Sequence, residues 1–479
     1  MSTTQQTPRV HAFGDDALGD LDAVGVAEAI SRGDLSPAEA VEAAIVRAEA
    51  VDPALNAIVS RDYERARVNA AASRGRRTEG VFAGVPTFIK DNVDVVGLPT
   101  GHGSAAVIAA QPARANDPFT DQFLATGAIH LGKSSLPEFG FNATTEFEDA
   151  EPTRNPWHTG YSCGASSGGS AALVAAGAVP FAHANDGGGS IRIPAAACGL
   201  VGLKFTRGRE AIGAQAKAMP VNIISNGIVS RSVRDTAVFL DAVDRHSPHR
   251  SLPRTGLVAG PSDRRLRIGL IVDSLHATTD DQTRAAVLDL AARLEKAGHE
   301  VVDVPLPVAS SFEEDFLHYW GLLAFSMHHF GGRLLHATYD RSRNDALVKG
   351  LARDFKRRAW RTPVAVLGLK RAEATYRATF RRERVDTILS PVLGHTTPEL
   401  GYLSPANGYE TLLPRLLQYA AFTPANNAAG GPAISLPLAQ TDDGRPLGVH
   451  FSADHGNERT LLELAFELEQ SIGFPRITA

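Results

Sequence analysis

From Val81 to the C-terminus, short apolar runs broken by Gly and Pro turns alternate with amphipathic segments. The runs Val85–Ile89, Ala128–Leu131, Val179–Ala182, Leu200–Leu203, Leu266–Val272, Thr387–Leu389, Ala433–Leu438 and Leu447–Phe451 are short and read as buried strands. Pro118–Ala125, Ser170–Ala178, Val233–Val243, Thr283–Lys296 and Arg459–Gln470 carry helical spacing. Such alternation predicts an α/β fold with one large sheet sandwiched by helices.

Ahead of this core lie a loose tail, residues 1–20, and two amphipathic helices. The second helix opens on Ser36-Pro37-Ala38-Glu39, with serine at the N-cap, proline at the first position and glutamate at the third. A third helix is expected from Tyr63 to Ser73. No strong linker divides residues 21–479, so a single domain is expected. Residues 308–385 differ in composition and carry Phe312, Phe316, Trp320, Phe325, His328, Phe330, Trp360 and Tyr376 at helical spacing. They read either as a helical layer with its own small core or as a lid over a pocket.

With 479 residues, 43% of them hydrophobic, the chain can bury a large core. A net charge of −5 offers no basic footprint for nucleic acid. Cys163 and Cys198 are the only cysteines and neither has metal-ligand spacing, which argues against a disulfide framework and a zinc site. Neither a signal peptide nor an apolar spanning run is apparent, so a cytoplasmic protein that does not enter a membrane is expected.

Chemistry concentrates in two Gly/Ser clusters, Gly164-Ala165-Ser166-Ser167-Gly168-Gly169-Ser170 and Asp186-Gly187-Gly188-Gly189-Ser190-Ile191-Arg192. Glycines before Ser190 surround a hydroxyl with bare N–H groups that could converge on an oxyanion. Gly164-Ala165-Ser166-Ser167-Gly168 matches G-x-S-x-G, but a turn-rich loop precedes it where a nucleophile elbow needs a strand. Neither cluster ends in G-K-[ST], which disfavours a phosphate loop. His183 invites a Ser/His/Asp reading, yet nothing in the sequence sets it opposite Ser190 and it reads as a loop or core histidine.

Together with Gly84-Val85-Pro86-Thr87-Phe88-Ile89-Lys90-Asp91, Gly132-Lys133-Ser134-Ser135, Arg154-Asn155-Pro156-Trp157 and Phe422-Thr423-Pro424-Ala425-Asn426-Asn427, these clusters resemble the amidase signature family over about residues 22–475. The look is nearest to the branch with nylon-oligomer, aryl-amide and carbamate hydrolases. The resemblance implies the family's α/β fold, no cofactor, and a small-molecule amide or carbamate as substrate, in a monomer or homodimer. Position by position it implies Lys90 as base, Ser166 after a cis peptide bond as proton shuttle, and Ser190 as nucleophile. The N–H groups of Gly187, Gly188, Gly189 and Ser190 are the expected oxyanion hole. Asp186 and Arg192 are expected to pair and shape the loop, with Arg192 an alternative substrate contact. Ser167 and Ser170 are expected to cap the next helix and support Lys90.

Phe141, Asn142, Thr144, Thr145, Gly101 and His102 are the expected pocket residues. Phe205 and Ala165 depart from the family pattern and are expected at the pocket wall. The physical logic agrees with this assignment: a serine hydroxyl needs a base within reach, and burial can lower a lysine enough to supply one. A second reading is the amide-transferring subunit of a tRNA-dependent amidotransferase, which would work beside a nucleic-acid-binding partner.

Overall fold

The computed structural model describes residues 9–72, 80–247, 251–335 and 338–477. Its centre is an eight-stranded sheet. In order, its strands are Glu300–Asp303, Arg267–Leu270, Thr387–Pro391, Pro446–Ala453, Ala433–Gln440, Val201–Lys204, Ser225–Ser230 and Phe181–Asp186. The first three run parallel and every later pairing is antiparallel, so the sheet is mixed.

Two of the expected strands lie elsewhere. Pro86–Lys90 and Ile129–Ser134 pair in parallel and, with Ile58–Arg61, make a separate three-stranded sheet. Apolar runs fit a small sheet as well as a large one, because both sheets are covered by helices. The small sheet packs on the last strand of the large one. Thr87 Oγ1 donates to the Phe181 carbonyl at 3.0 Å, and the Lys90 N–H donates to His183 Nδ1 at 3.2 Å. This junction brings the end of strand Pro86–Lys90 beside the end of strand Phe181–Asp186.

Helices form where their caps stand. Ser36 and Glu39 make the expected reciprocal capping box on helix Pro37–Leu55. The third N-terminal helix runs Tyr63–Ala72, and Ser73 lies outside the described residues. The N-terminal stretch departs from the expected loose tail. Val10 and Ala12 N–H groups donate to the Pro156 and Ala176 carbonyls, Leu18 is buried, and Asp16 pairs with buried Arg47. Ion pairing and apolar burial thus hold residues 9–20 to the body, while residues 1–8 lie outside the described residues.

Residues 308–385 supply helices Phe312–Leu334, Ala346–Arg357 and Thr362–Glu383. Their aromatic residues divide. Tyr376 is fully buried, whereas Phe330 and Trp360 are exposed. The Phe312, Phe316 and Trp320 rings follow one another down a single helix face with centroids 5.8 and 5.7 Å apart. None of the described helices is long and apolar enough to cross a membrane.

Candidate active site

Lys90 ends its strand fully buried, and its Nζ donates to Ser166 Oγ at 2.7 Å and Asn185 Oδ1 at 2.6 Å. Burial pushes the Lys90 ammonium well below the ordinary lysine value of 10.5, against the opposing attraction of Asp186. The peptide bond before Ser166 is cis. Gly140 also lies close to the same hydroxyl. It has φ +73°, and a Cβ there would stand 2.8 Å from Ser166 Oγ.

Ser190 follows the glycine run at the end of strand Phe181–Asp186, and its buried side chain contributes to the lining of a large cleft. Gly189 needs to be glycine: its φ is +133°, and a Cβ would meet Thr423 Oγ1 at 2.2 Å. One member of the expected oxyanion hole is already engaged, because the Gly189 N–H donates to Asp186 Oδ1 at 2.6 Å. Among the described residues, no hydrogen bond uses the N–H of Gly187, Gly188 or Ser190.

Asp186 and Arg192 form a fully buried ion pair, with Nε 2.9 Å from Oδ2. Burial alone would raise the Asp186 carboxyl, but the Arg192 guanidinium beside it holds it well below the usual carboxylate range. All five N–H groups of Arg192 have acceptors, which are Asp186, Asn426, Asn427, His450 and the Thr423 carbonyl. A saturated guanidinium of zero exposure has no donor left for substrate, so the pair shapes the loop.

Ser167 and Ser170 do not cap the helix Gly168–Ala175. Ser167 Oγ donates to the Asn185 carbonyl at 3.2 Å, and Ser170 Oγ donates to the His183 carbonyl at 2.7 Å. They fasten that helix to the strand carrying Asn185. His183 lies in the core between Phe119 and Phe123, and burial lowers its imidazole to about 3. Cys163 is buried, which pushes its thiol up to about 12.

Of the expected pocket residues, Phe141 and Asn142 line the cleft. Thr144 points away, bonding Glu146 and Ser162. Thr145 donates to the Gly164 carbonyl. Gly101 and His102 form a turn on Asp91, which is held in turn by buried Lys133 at 2.7 Å. Phe205 stacks on Phe239 in the core and does not reach the cleft wall. Residues close in sequence to a motif alternate between cleft and core, so neighbourhood alone misplaced these.

The cleft has a volume of about 1240 Å³ with its open mouth included. Phe141, Phe312, Phe316, Leu317, Trp320 and Leu416 give it an apolar wall, and Phe141 meets Trp320 edge-on at 5.0 Å. Its floor is polar and neutral. Arg192 Nη1 donates to His450 Nε2 at 3.1 Å, which fixes the proton on Nδ1 toward Ser390 Oγ, also at 3.1 Å. Burial, reinforced by Arg192, holds the His450 imidazole well below its ordinary range.

The family model for Amidase matches residues 39–462. The chain belongs to the amidase family. It is 48% identical over 476 residues to AmiC of Mycobacterium tuberculosis, an amidase by assignment, covering 98% of each chain. It is 34% identical over 479 residues to the 6-aminohexanoate-cyclic-dimer hydrolase of Pseudomonas sp. (strain NK87), covering 94% of each. Among solved structures, a 6-aminohexanoate cyclic dimer hydrolase superposes with a TM-score of 0.84 at 31% identity, over 94% of this chain and 97% of that one. The chain is thus a hydrolase of amide C–N bonds with the amidase signature architecture.

Asn185 and Gly140 are site residues that the motif reading passed over. Asn185 stands one residue before Asp186, where a side chain two strand positions from His183 must point the same way. That periodicity was the available signal for Asn185. Gly140 had none, since its role comes from a loop folding back on Ser166.

Proposed function

We propose that the protein hydrolyses amides with an apolar body, and carbamates of similar shape, through an acyl-enzyme on Ser190. The carrying observation is the buried Lys90 amine, 2.7 Å from Ser166 Oγ and pushed toward its neutral form by burial. Neutral Lys90 takes the Ser166 proton as Ser166 takes the Ser190 proton, and Ser190 Oγ attacks the carbonyl carbon. The N–H groups of Gly187, Gly188 and Ser190 receive the oxyanion, while Gly189 keeps its bond to Asp186. The relayed proton returns to the leaving nitrogen, the C–N bond breaks, and water then cleaves the ester by the same relay.

The apolar wall beside Ser190 supports a substrate with aromatic or long alkyl parts. It does not favour the amidotransferase reading, whose ammonia donor, glutamine, is a small zwitterion. Intact-mass analysis with a fluorophosphonate tests the nucleophile. One adduct per chain is expected, and none with Ser190→Ala. Full hydrolysis by Ser190→Ala together with its loss in His183→Ala would overturn the Lys–Ser–Ser relay.

A further inference from the structure

One carboxylate lines the cleft, and it belongs to Glu313 in the first turn of helix Phe312–Leu334. Its neighbours on that turn are paired: Glu314 and Asp315 both meet Arg361. Among the described residues no ion pair or hydrogen bond engages the Glu313 side chain. Half-buried, it is, among the described residues, the single charged side chain in a lining otherwise made of apolar groups, hydroxyls, amides and the neutral His450. A partly desolvated carboxylate without a partner carries an uncompensated cost, which a bound cation removes.

Its position relative to the nucleophile is fixed by the aromatic face. A Cβ on Gly188 would lie 3.7 Å from Phe316 and 3.8 Å from Trp320, so the nucleophile loop runs against those rings. Glu313 stands three residues before Phe316, about 4.5 Å further along the helix axis. A chain leaving Ser190 over Phe316 therefore reaches Glu313 after a short apolar span. The rings along that path themselves attract cations.

Resting on the amide-hydrolase reading above, we infer that Glu313 selects amides bearing a primary ammonium group at the end of a short alkyl spacer. The carboxylate receives the ammonium N–H donors, and the Phe312–Phe316–Trp320 face covers the spacer. The amide carbonyl then lies at the nucleophile loop.

Calorimetric titration of Ser190→Ala with 5-aminopentananilide and with pentananilide tests this. The ammonium compound should bind about tenfold more tightly, as a charge-assisted contact at a half-buried site allows. The ratio should fall to near one in Ser190→Ala/Glu313→Gln. Equal affinities in the first protein, no binding of the ammonium compound, or a ratio that survives Glu313→Gln would each overturn the inference. A carboxylate that only serves the dipole of its own helix gives the first of these results. Turnover heat from Ser190→Ala would count against Ser190 as nucleophile alone, and the ratio is then read from initial rates.

Discussion

Asn185 Oδ1 accepts a hydrogen bond from Lys90 Nζ at 2.6 Å while also accepting one from Asn92 Nδ2 at 3.2 Å. A neutral amide oriented by a second amide thus aims the lysine at Ser166 without adding a charge that would return it to the ammonium form. Asn185→Asp places such a charge beside it. The acid limb of the kcat/KM–pH profile should then move to higher pH, because an adjacent carboxylate raises the Lys90 value. An unmoved limb would show that another group sets it.

Lys90→Met should lower kcat by about 10²–10⁴-fold, the range for loss of a positioned base. The same change should stabilise the fold. Lys90 binds fewer protons folded than unfolded at every pH between its depressed value and 10.5. Its burial therefore destabilises most at low pH, and this cost fades as pH rises to 10.5. Urea denaturation at neutral pH should show a gain of about 1–2 kcal/mol in Lys90→Met, shrinking at higher pH.

Gly140→Ala tests the crowding of Ser166. Its φ of +73° disfavours any side chain, and the new methyl would stand 2.8 Å from Ser166 Oγ. Stability should fall by about 1–2 kcal/mol. Displacement of the hydroxyl should reduce kcat by about 10²-fold, more than the stability loss explains. Thermal melts and steady-state rates on the same preparation separate the two effects.

Removing Arg192 strands a buried carboxylate. Arg192→Met should cost about 3–5 kcal/mol of stability, read from chemical denaturation. Arg192→Lys should recover only part of it, because an ammonium cannot reproduce the fork that reaches Asp186, Asn427 and the Thr423 carbonyl together.

His183→Gln retains an acceptor for the Lys90 N–H and should keep kcat/KM within about tenfold of the parent. The histidine's effect lies in acid stability. With its value lowered to about 3 from 6.5, the folded state binds fewer protons than the unfolded state between those limits. Stability accordingly rises with pH across that window, and His183→Gln should flatten the slope. An unchanged slope would locate the acid sensitivity elsewhere.

The alternation of apolar runs announced the α/β class, and the capping box at Ser36 appears where its residues stand. The division into two sheets was not legible, since Val85–Ile89 and Ala433–Leu438 have the same apolar character although only the second lies in the large sheet. In the site, Lys90 and Ser166 meet as the motifs implied. Thr144 and Gly101 were misplaced because a sequence motif marks a loop but not which way each side chain leaves it. Gly189 was read as a free donor because its bond to Asp186 depends on a turn that only the folded chain shows.

The loop carrying Ser190 is braced from far along the chain: Thr423, Asn426 and Asn427 contact Arg192 or Asp186 across separations of 231 to 241 residues. On a ribosome, the loop exists long before its braces are made. A nascent chain ending before Thr423 has the lysine, both serines and the Asp186–Arg192 pair, but not the carbonyl and amide oxygens of Thr423, Asn426 and Asn427 that complete the guanidinium's contacts. A truncation that removes Thr423, Asn426 and Asn427 therefore strips the loop of these braces while leaving Lys90, Ser166 and Ser190 in the chain.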